Sequence, residues 1–87
     1  MIGVVRASVR SPDDRSASYV RIHEIFVLPD FRSNGVAHDL LQFVTQWTKD
    51  LGAKRIELSV DIDNAAGMQF WATEDFKDYQ RVMFKAV

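Results

Sequence analysis

The chemistry open to this chain starts in the stretch Glu24-Ile-Phe-Val-Leu-Pro-Asp-Phe-Arg-Ser-Asn-Gly-Val-Ala-His38. An apolar strand stopped by Pro29 runs into a short loop of turn-forming residues, and Gly35 opens the next element. If that element is a helix, the amides of the loop and of the first turn lack intrahelical partners. They then converge on one point with the positive end of the helix dipole behind them, which makes an anion cradle. The Gly-Lys-Ser/Thr ending of a nucleotide-triphosphate loop is missing, and no three-glycine dinucleotide fingerprint follows the strand. A pyrophosphate of another kind fits better. Arg32 stands in the loop as a candidate phosphate contact, against the plainer reading of a solvated loop arginine.

The elements that must position this loop are legible from periodicity. From Gly35 to Leu51, the residues Ala37, Leu40, Leu41, Val44, Trp47 and Leu51 fall at helical spacing on one stripe, with Asp39, Gln42, Gln46 and Lys49 on the other side. Gly52 is the natural stop. Arg55 to Ile62 then alternates with period two, so strand, helix and strand form a right-handed crossover with the two strands parallel. The cradle thereby lies at the carboxyl end of a strand. Upstream, Met1–Val9 and Tyr19–Leu28 read as strands of an antiparallel hairpin joined by the polar, turn-rich Ser11–Ser18. Downstream, Asp63 and Asn64 are both good N-caps for a second helix through about Thr73, and Tyr79–Val87 reads as a closing strand. The expected architecture is a single α/β domain over residues 1–87: hairpin, βαβ crossover, second helix and closing strand, with helices on both faces of a mixed sheet. Trp47, Phe43 and Phe70 read as core.

Composition narrows the function classes. The 87 residues hold 47% hydrophobic side chains, enough for a real core, although a domain this small buries only roughly 60–65% of its unfolded surface. Eleven basic against twelve acidic residues create no field favouring nucleic acid or an anionic membrane. The absence of cysteine excludes a disulfide scaffold and a thiolate metal site, and His23 with His38 alone make no recognisable metal cluster. No 18-residue apolar run and no signal peptide are present, so the expectation is a cytoplasmic protein with no membrane or nucleic-acid partner.

At the loop a family resemblance enters. Arg32-Ser-Asn-Gly35-Val-Ala37 resembles the Arg/Gln-x-x-Gly-x-Gly/Ala signature of the GNAT (GCN5-related) N-acetyltransferases. Ile25-Phe-Val-Leu-Pro-Asp-Phe-Arg32 is similar to that family's strand and turn, and Leu51-Gly-Ala-Lys-Arg-Ile-Glu-Leu58 to its helix exit and next strand. Asn64-Ala-Ala-Gly-Met-Gln-Phe-Trp71 followed by Asp75-Phe76 is similar to its later helix. The likeness runs from about Ile22 onward. It implies acetyl-coenzyme A as cosubstrate and no metal. Amides of Arg32, Ser33, Asn34, Gly35, Val36, Ala37 and His38 would hold the pyrophosphate, the Phe26-Val27-Leu28 backbone would orient the acyl-pantetheine arm, and Asn64 would touch the coenzyme besides capping its helix. Lys54 and Arg55 read as solvated, although the family's fold can bring basic residues to the nucleotide phosphate. His38 by itself reads as a surface residue.

The resemblance also points to catalytic candidates. In many relatives a carboxylate on the strand before the loop is the proposed base; the corresponding positions here are His23 and Glu24. These two point to opposite faces of a regular strand, so at most one faces a given cleft unless the strand bulges. A purely structural role for both is the competing reading. The tyrosine frequent in the later helix is Trp71 here, and an indole N–H cannot supply a proton near neutral pH. Tyr19 and Tyr79 are the remaining phenols, and neither lies where the motif would put one.

The family ordinarily carries further strands and helices ahead of the point where this sequence starts. Their absence would leave the first strand at an open, apolar sheet edge, which favours pairing with a second copy. A homodimer with the acceptor site near its interface is therefore expected, the competing explanation being a truncated or decayed product. The leading functional expectation is acetyl transfer from acetyl-coenzyme A to a primary amine, by direct attack in a ternary complex. A catalytically weak acyl-coenzyme A binding or regulatory module is the alternative, and a pure interaction domain a third. The amine itself is open.

Overall fold

The computed structural model describes residues 2–11 and 18–87. Strand β1 (Gly3–Arg10) pairs antiparallel with β2 (Tyr19–Val27), and β2 pairs parallel with the short β3 (Ile56–Glu57), giving the sheet order β1-β2-β3. Most of the Ser11–Ser18 connection, residues 12–17, lies outside the described residues, as does Met1. A 3-10 turn (Pro29–Phe31) leads from β2 into helix α1 (Val36–Asp50), and α2 (Ala65–Thr73) follows β3.

Both helices end where local chemistry dictates. Helix α1 leaves through Gly52 at φ 76°, with the N–H of Gly52 donating to Lys49 O at 3.0 Å and that of Ala53 to Thr48 O at 3.1 Å. These are the paired bonds of a Schellman exit, which only a residue tolerant of positive φ makes without strain. Asn64 caps α2 by accepting the Gly67 N–H on Oδ1 at 2.9 Å.

The core is one apolar cluster on one face of the sheet. Val20 and Ile22 of β2 and Leu41 and Val44 of α1 are buried together, with Val5, Ala7, Trp47, Ile56, Leu58, Trp71 and Phe76 packed against them. Trp71, in α2, therefore joins the cluster on which α1 sits, and the expectation of helices on both faces is corrected. The physical reason lies in β1 and β2. Their outward positions include Arg6, Ser8, Arg10 and Arg21, and the apolar outward pair Val4 and Phe26 stands at one end only. A helix has little to bury there.

Phe43 is also corrected. It is 71% exposed. At about 100° per residue, position 43 lies across the helix from the buried Leu41. Two strand expectations shrink as well. Of the stretch 55–62 only Ile56–Glu57 is laddered, and 79–87 forms no strand, because no backbone among the described residues takes up its hydrogen bonds.

The irregularity that shapes the rest is a bulge in β2. Arg6 pairs with Glu24 while Ala7 pairs with Ile22, leaving His23 as the extra residue. The buried phase of the strand shifts across it, from Val20 and Ile22 to the half-buried Ile25 and buried Val27. A bulge bends its strand and increases local twist. Here it falls just past Arg21↔Glu57, the last pair between β2 and β3. The two parallel strands part at that point.

Candidate functional site

The parted strands enclose an open cleft of about 910 Å³. One wall is β2 from Ile22 to Val27, and the other is the chain leaving β3 through Leu58, Ser59, Val60 and Asp61. Beyond Arg21↔Glu57, β2 has no ladder partner on this side among the described residues, so its backbone edge from Ile22 onward is presented to the cleft. An extended ligand could pair with that edge as a strand would.

The start of α1 stands at the same cleft. Gly35 is its N-cap at φ 81°, no side chain caps the helix, and the N–H of Asp39 donates to Gly35 O at 3.0 Å as the first bond of the helix. The amides of Val36, Ala37 and His38 lie ahead of that bond, so they carry the positive end of the dipole without intrahelical partners. A Cβ added at Gly35 would meet no protein atom within 4 Å. The glycine is there for its backbone angle and for the open approach, not for packing. Asn64, Ala66, Gly67, Phe70 and Trp71 bring α2 to the same space.

Of the residues expected at a site, His23, Glu24, Phe26, Val27, Arg32, Ser33, Gly35, Val36, Ala37, His38 and Asn64 all line this cleft. Leu28 and Asn34 do not. The Leu28 N–H donates to Ile2 O at 2.8 Å, which closes the β1–β2 sheet and turns that amide away. Asn34 sits between Ser33 and Gly35, both at positive φ, and is exposed on the outside of the turn. The opposite wall, Leu58 to Asp61, is the part that sequence reasoning did not name. Its signal was the parallel crossover itself, which brings the carboxyl ends of two strands together.

The bulge decides where the two base candidates stand. With His23 as the extra residue, both His23 and Glu24 are exposed and both line the cleft, an arrangement that a regular strand would forbid. His23 Nε2 and Ser8 Oγ share a 2.7 Å hydrogen bond across the ladder. Partial desolvation, followed by the charges of Arg10, Arg6 and Arg21, pushes the imidazole below its usual pKa of 6.5.

Other candidates take more structural positions. Arg32 donates from Nε to Val27 O at 2.8 Å, and its guanidinium stands 5.3 Å from the Phe26 ring centroid, so part of its donor set ties the loop to β2. His38 Nδ1 donates to Glu74 at 2.5 Å, joining the first turn of α1 to the C-cap residue of α2. Trp71 packs edge-on against Phe70 and Phe76, with centroids 4.9 and 5.1 Å away, and adjoins the core cluster. Neither phenol lines the cleft: Tyr19 pairs with Arg10, and the Tyr79 ring lies 4.0 Å from the Arg55 guanidinium. Arg55 also pairs with Glu57 at 2.5 Å, and the neighbouring Tyr79, ahead of Glu57, holds its guanidinium above the usual arginine value.

Comparison with known proteins places the chain in a family. The model of the acetyltransferase (GNAT) family matches residues 1–76. The chain is similar to an uncharacterized N-acetyltransferase of Methanocaldococcus jannaschii, 34% identical over 61 residues that cover 70% of this chain and 27% of that protein. It is also similar to the aminoglycoside N(6')-acetyltransferase type 1 of Salmonella typhimurium, 30% identical over 86 residues, 95% of this chain and 59% of that one. The chain spans less than two thirds of the length of either relative. Among solved structures, the aminoglycoside N-acetyltransferase AAC(6')-Iy resembles it in a complex with the bisubstrate analogue CoA-S-monomethyl-acetylneamine, at TM-score 0.84 and 28% identity over 99% of this chain and 60% of that one. The same enzyme in complex with CoA gives TM-score 0.84 and 29% identity, covering 99% of this chain and 66% of that one.

Proposed function

The chain belongs to the acetyltransferase (GNAT) family, and from that premise we propose that it transfers an acetyl group from acetyl-coenzyme A to a primary amine by direct attack in a ternary complex. The observation that carries the proposal is the unpaired edge of β2 opening onto the uncapped start of α1. An extended amide-bearing arm fits the first, and a pyrophosphate the second. The bound coenzyme would supply an activated thioester carbonyl. Everything else is asked of the chain's own residues.

The amides of Val36, Ala37 and His38 would hold the anion, with the open side of Gly35 allowing it close to the backbone. The edge from Phe26 to Val27 would align the arm. His23 is assigned as the base: its lowered pKa favours the neutral ring, and in the tautomer whose Nε2–H donates to Ser8 Oγ, Nδ1 carries the free lone pair that accepts the amine proton. Glu24, beside it in the cleft, is the second base candidate and a partner for an ammonium acceptor. No phenol in the cleft serves as an acid. A thiol with a pKa of about 8.5 is a tolerable leaving group without one, since water can return the proton.

The absence of a cleft phenol also favours a second reading, an acyl-coenzyme A binding module with weak or no turnover. Calorimetry with acetyl-coenzyme A, followed by thiol release over a panel of amines that includes aminoglycosides, separates the two. Binding with turnover supports the transferase, and binding alone the module. No binding at millimolar coenzyme overturns both.

A further inference from the structure

We propose that the amine acceptor also carries an acid group, a carboxylate or a phosphate, and that Arg6 and Arg10 receive it on the outward face of the sheet beside His23. The inference rests on the transferase reading above and names the class of its acceptor. Arg6, Ser8 and Arg10 alternate along β1, so their side chains leave the same face of the sheet. Ser8 stands opposite Arg21 in the ladder, and its hydroxyl shares the 2.7 Å bond with the His23 ring. The imidazole therefore sits on a face that carries Arg6, Arg10 and Arg21. After desolvation, it is the charges of Arg10, Arg6 and Arg21 that disfavour its protonation, so each of them lies within electrostatic reach of the ring.

In a chain of net charge −1 this is a local excess of positive charge. Arg21 has partners: it donates to Ser59 Oγ at 2.6 Å and lies 3.9 Å from a Glu57 oxygen. Arg6 and Arg10 are exposed, and neither forms an ion pair among the described residues, although Glu24 is the ladder partner of Arg6. Guanidinium groups gathered in this way repel one another and attract an anion to the mouth of the cleft that His23 and Glu24 line.

That anion is not the coenzyme's pyrophosphate. The cradle for the pyrophosphate lies past Val27 at the start of α1, whereas Arg10 and Arg21 lie on the other side of His23, toward the start of β2. His23 to Val27 spans roughly 13 Å of strand. The arginines thus face the end of the cleft left to the acceptor. There, Glu24 meets the acceptor's ammonium before His23 takes its proton, and Arg6 and Arg10, each roughly 7 Å along β1 from Ser8, take the acid group at the far end of the same molecule. A polycation such as an aminoglycoside is repelled at that place.

The test compares kcat/KM for 4-aminobutyrate, 3-aminopropyl phosphate, butylamine and an aminoglycoside with acetyl-coenzyme A saturating. It is run at pH 8, where the ring is neutral with or without the arginines. Butylamine presents the same unhindered amine on the same four-carbon chain as 4-aminobutyrate, so their ratio isolates the acid group. At least one acid is expected to exceed butylamine by about tenfold or more, and which acid leads identifies the anion. That preference is expected to fall to near one in the double variant Arg6→Gln/Arg10→Gln. Butylamine or the aminoglycoside turning over as well as both acids overturns the inference and leaves the transferase reading standing; so does a preference that survives in the double variant. Turnover of no amine overturns the transferase reading instead, and the anion site is then read from the His23 ring by NMR, with each acid added at millimolar concentration in the presence of coenzyme A. A ring pKa raised in the wild type and not in the double variant supports the site, and an unmoved pKa overturns it as well.

Discussion

Ser8 Oγ and His23 Nε2 lie 2.7 Å apart, across the one place where the β1–β2 register breaks. The bond fixes the imidazole of the extra residue at the point where β2 turns away from β3. It couples a fold irregularity to the orientation of the proposed base, and the predictions for chemistry begin there.

His23 should titrate below 6.5 in an NMR pH series, and Arg6→Ala or Arg10→Ala should move it upward, since each removes a positive charge that disfavours the imidazolium. The sign for stability follows. With the folded pKa depressed, the unfolded chain binds more protons around pH 6.5. The neutral ring's contribution is then present above that value and is lost as pH falls through the folded pKa. Turnover limited by this base should rise with pH and level off below the usual histidine value. A His23 signal titrating above 6.5 contradicts the arrangement.

Replacing the base should separate chemistry from binding. His23→Ala is expected to lower turnover by about 10²-fold or more while leaving coenzyme affinity nearly unchanged; Ser8→Ala should lower it less and alter the pH profile. If Glu24 is the base instead, Glu24→Gln takes the large loss. Turnover unaltered in both His23→Ala and Glu24→Gln removes the pair from the mechanism.

Gly35→Val should weaken coenzyme binding by at least about tenfold, roughly 1.4 kcal/mol. The residue sits at φ 81°, where a β-branched side chain is strained, and the added atoms project into open space at the start of α1. Calorimetry checks this, and unchanged affinity in a folded variant would show that the anion does not approach there.

Asn64→Ala should lower stability by about 1 kcal/mol through loss of the bond to the Gly67 N–H, read as a drop in Tm. Phe43→Gln, on the exposed side of α1, should stay within about 0.5 kcal/mol of wild type. The two substitutions together distinguish a cap that matters from an aromatic residue that contributes little to the core.

The candidate site is partly legible in the chain's local patterns. Arg32, Gly35 and Ala37 announce a loop, and the stripe from Ala37 to Trp47 announces the helix behind it, because both signals are local: turn residues set backbone angles, and a period of 3.6 marks a helix face. Asn64 is legible as a cap for the same reason. Phe43 reads wrongly as core because hydrophobicity alone does not say on which side of the stripe a residue falls.

What the sequence by itself determined is the order of elements as far as α2, the Gly52 exit and Asn64 cap, and the placing of Gly35 at the start of α1; each depends on residues within a turn or two of one another. Tertiary structure alone decided that His23 is the bulged residue, that β2 and β3 part after Arg21↔Glu57, and that Trp71 joins the cluster of Leu41 and Val44. It also left 79–87 outside the sheet despite a strand-forming sequence. Register, splay and pairing are properties of two backbones at once. A strand's own residues state its propensity, but only a partner within hydrogen-bonding distance turns that propensity into structure.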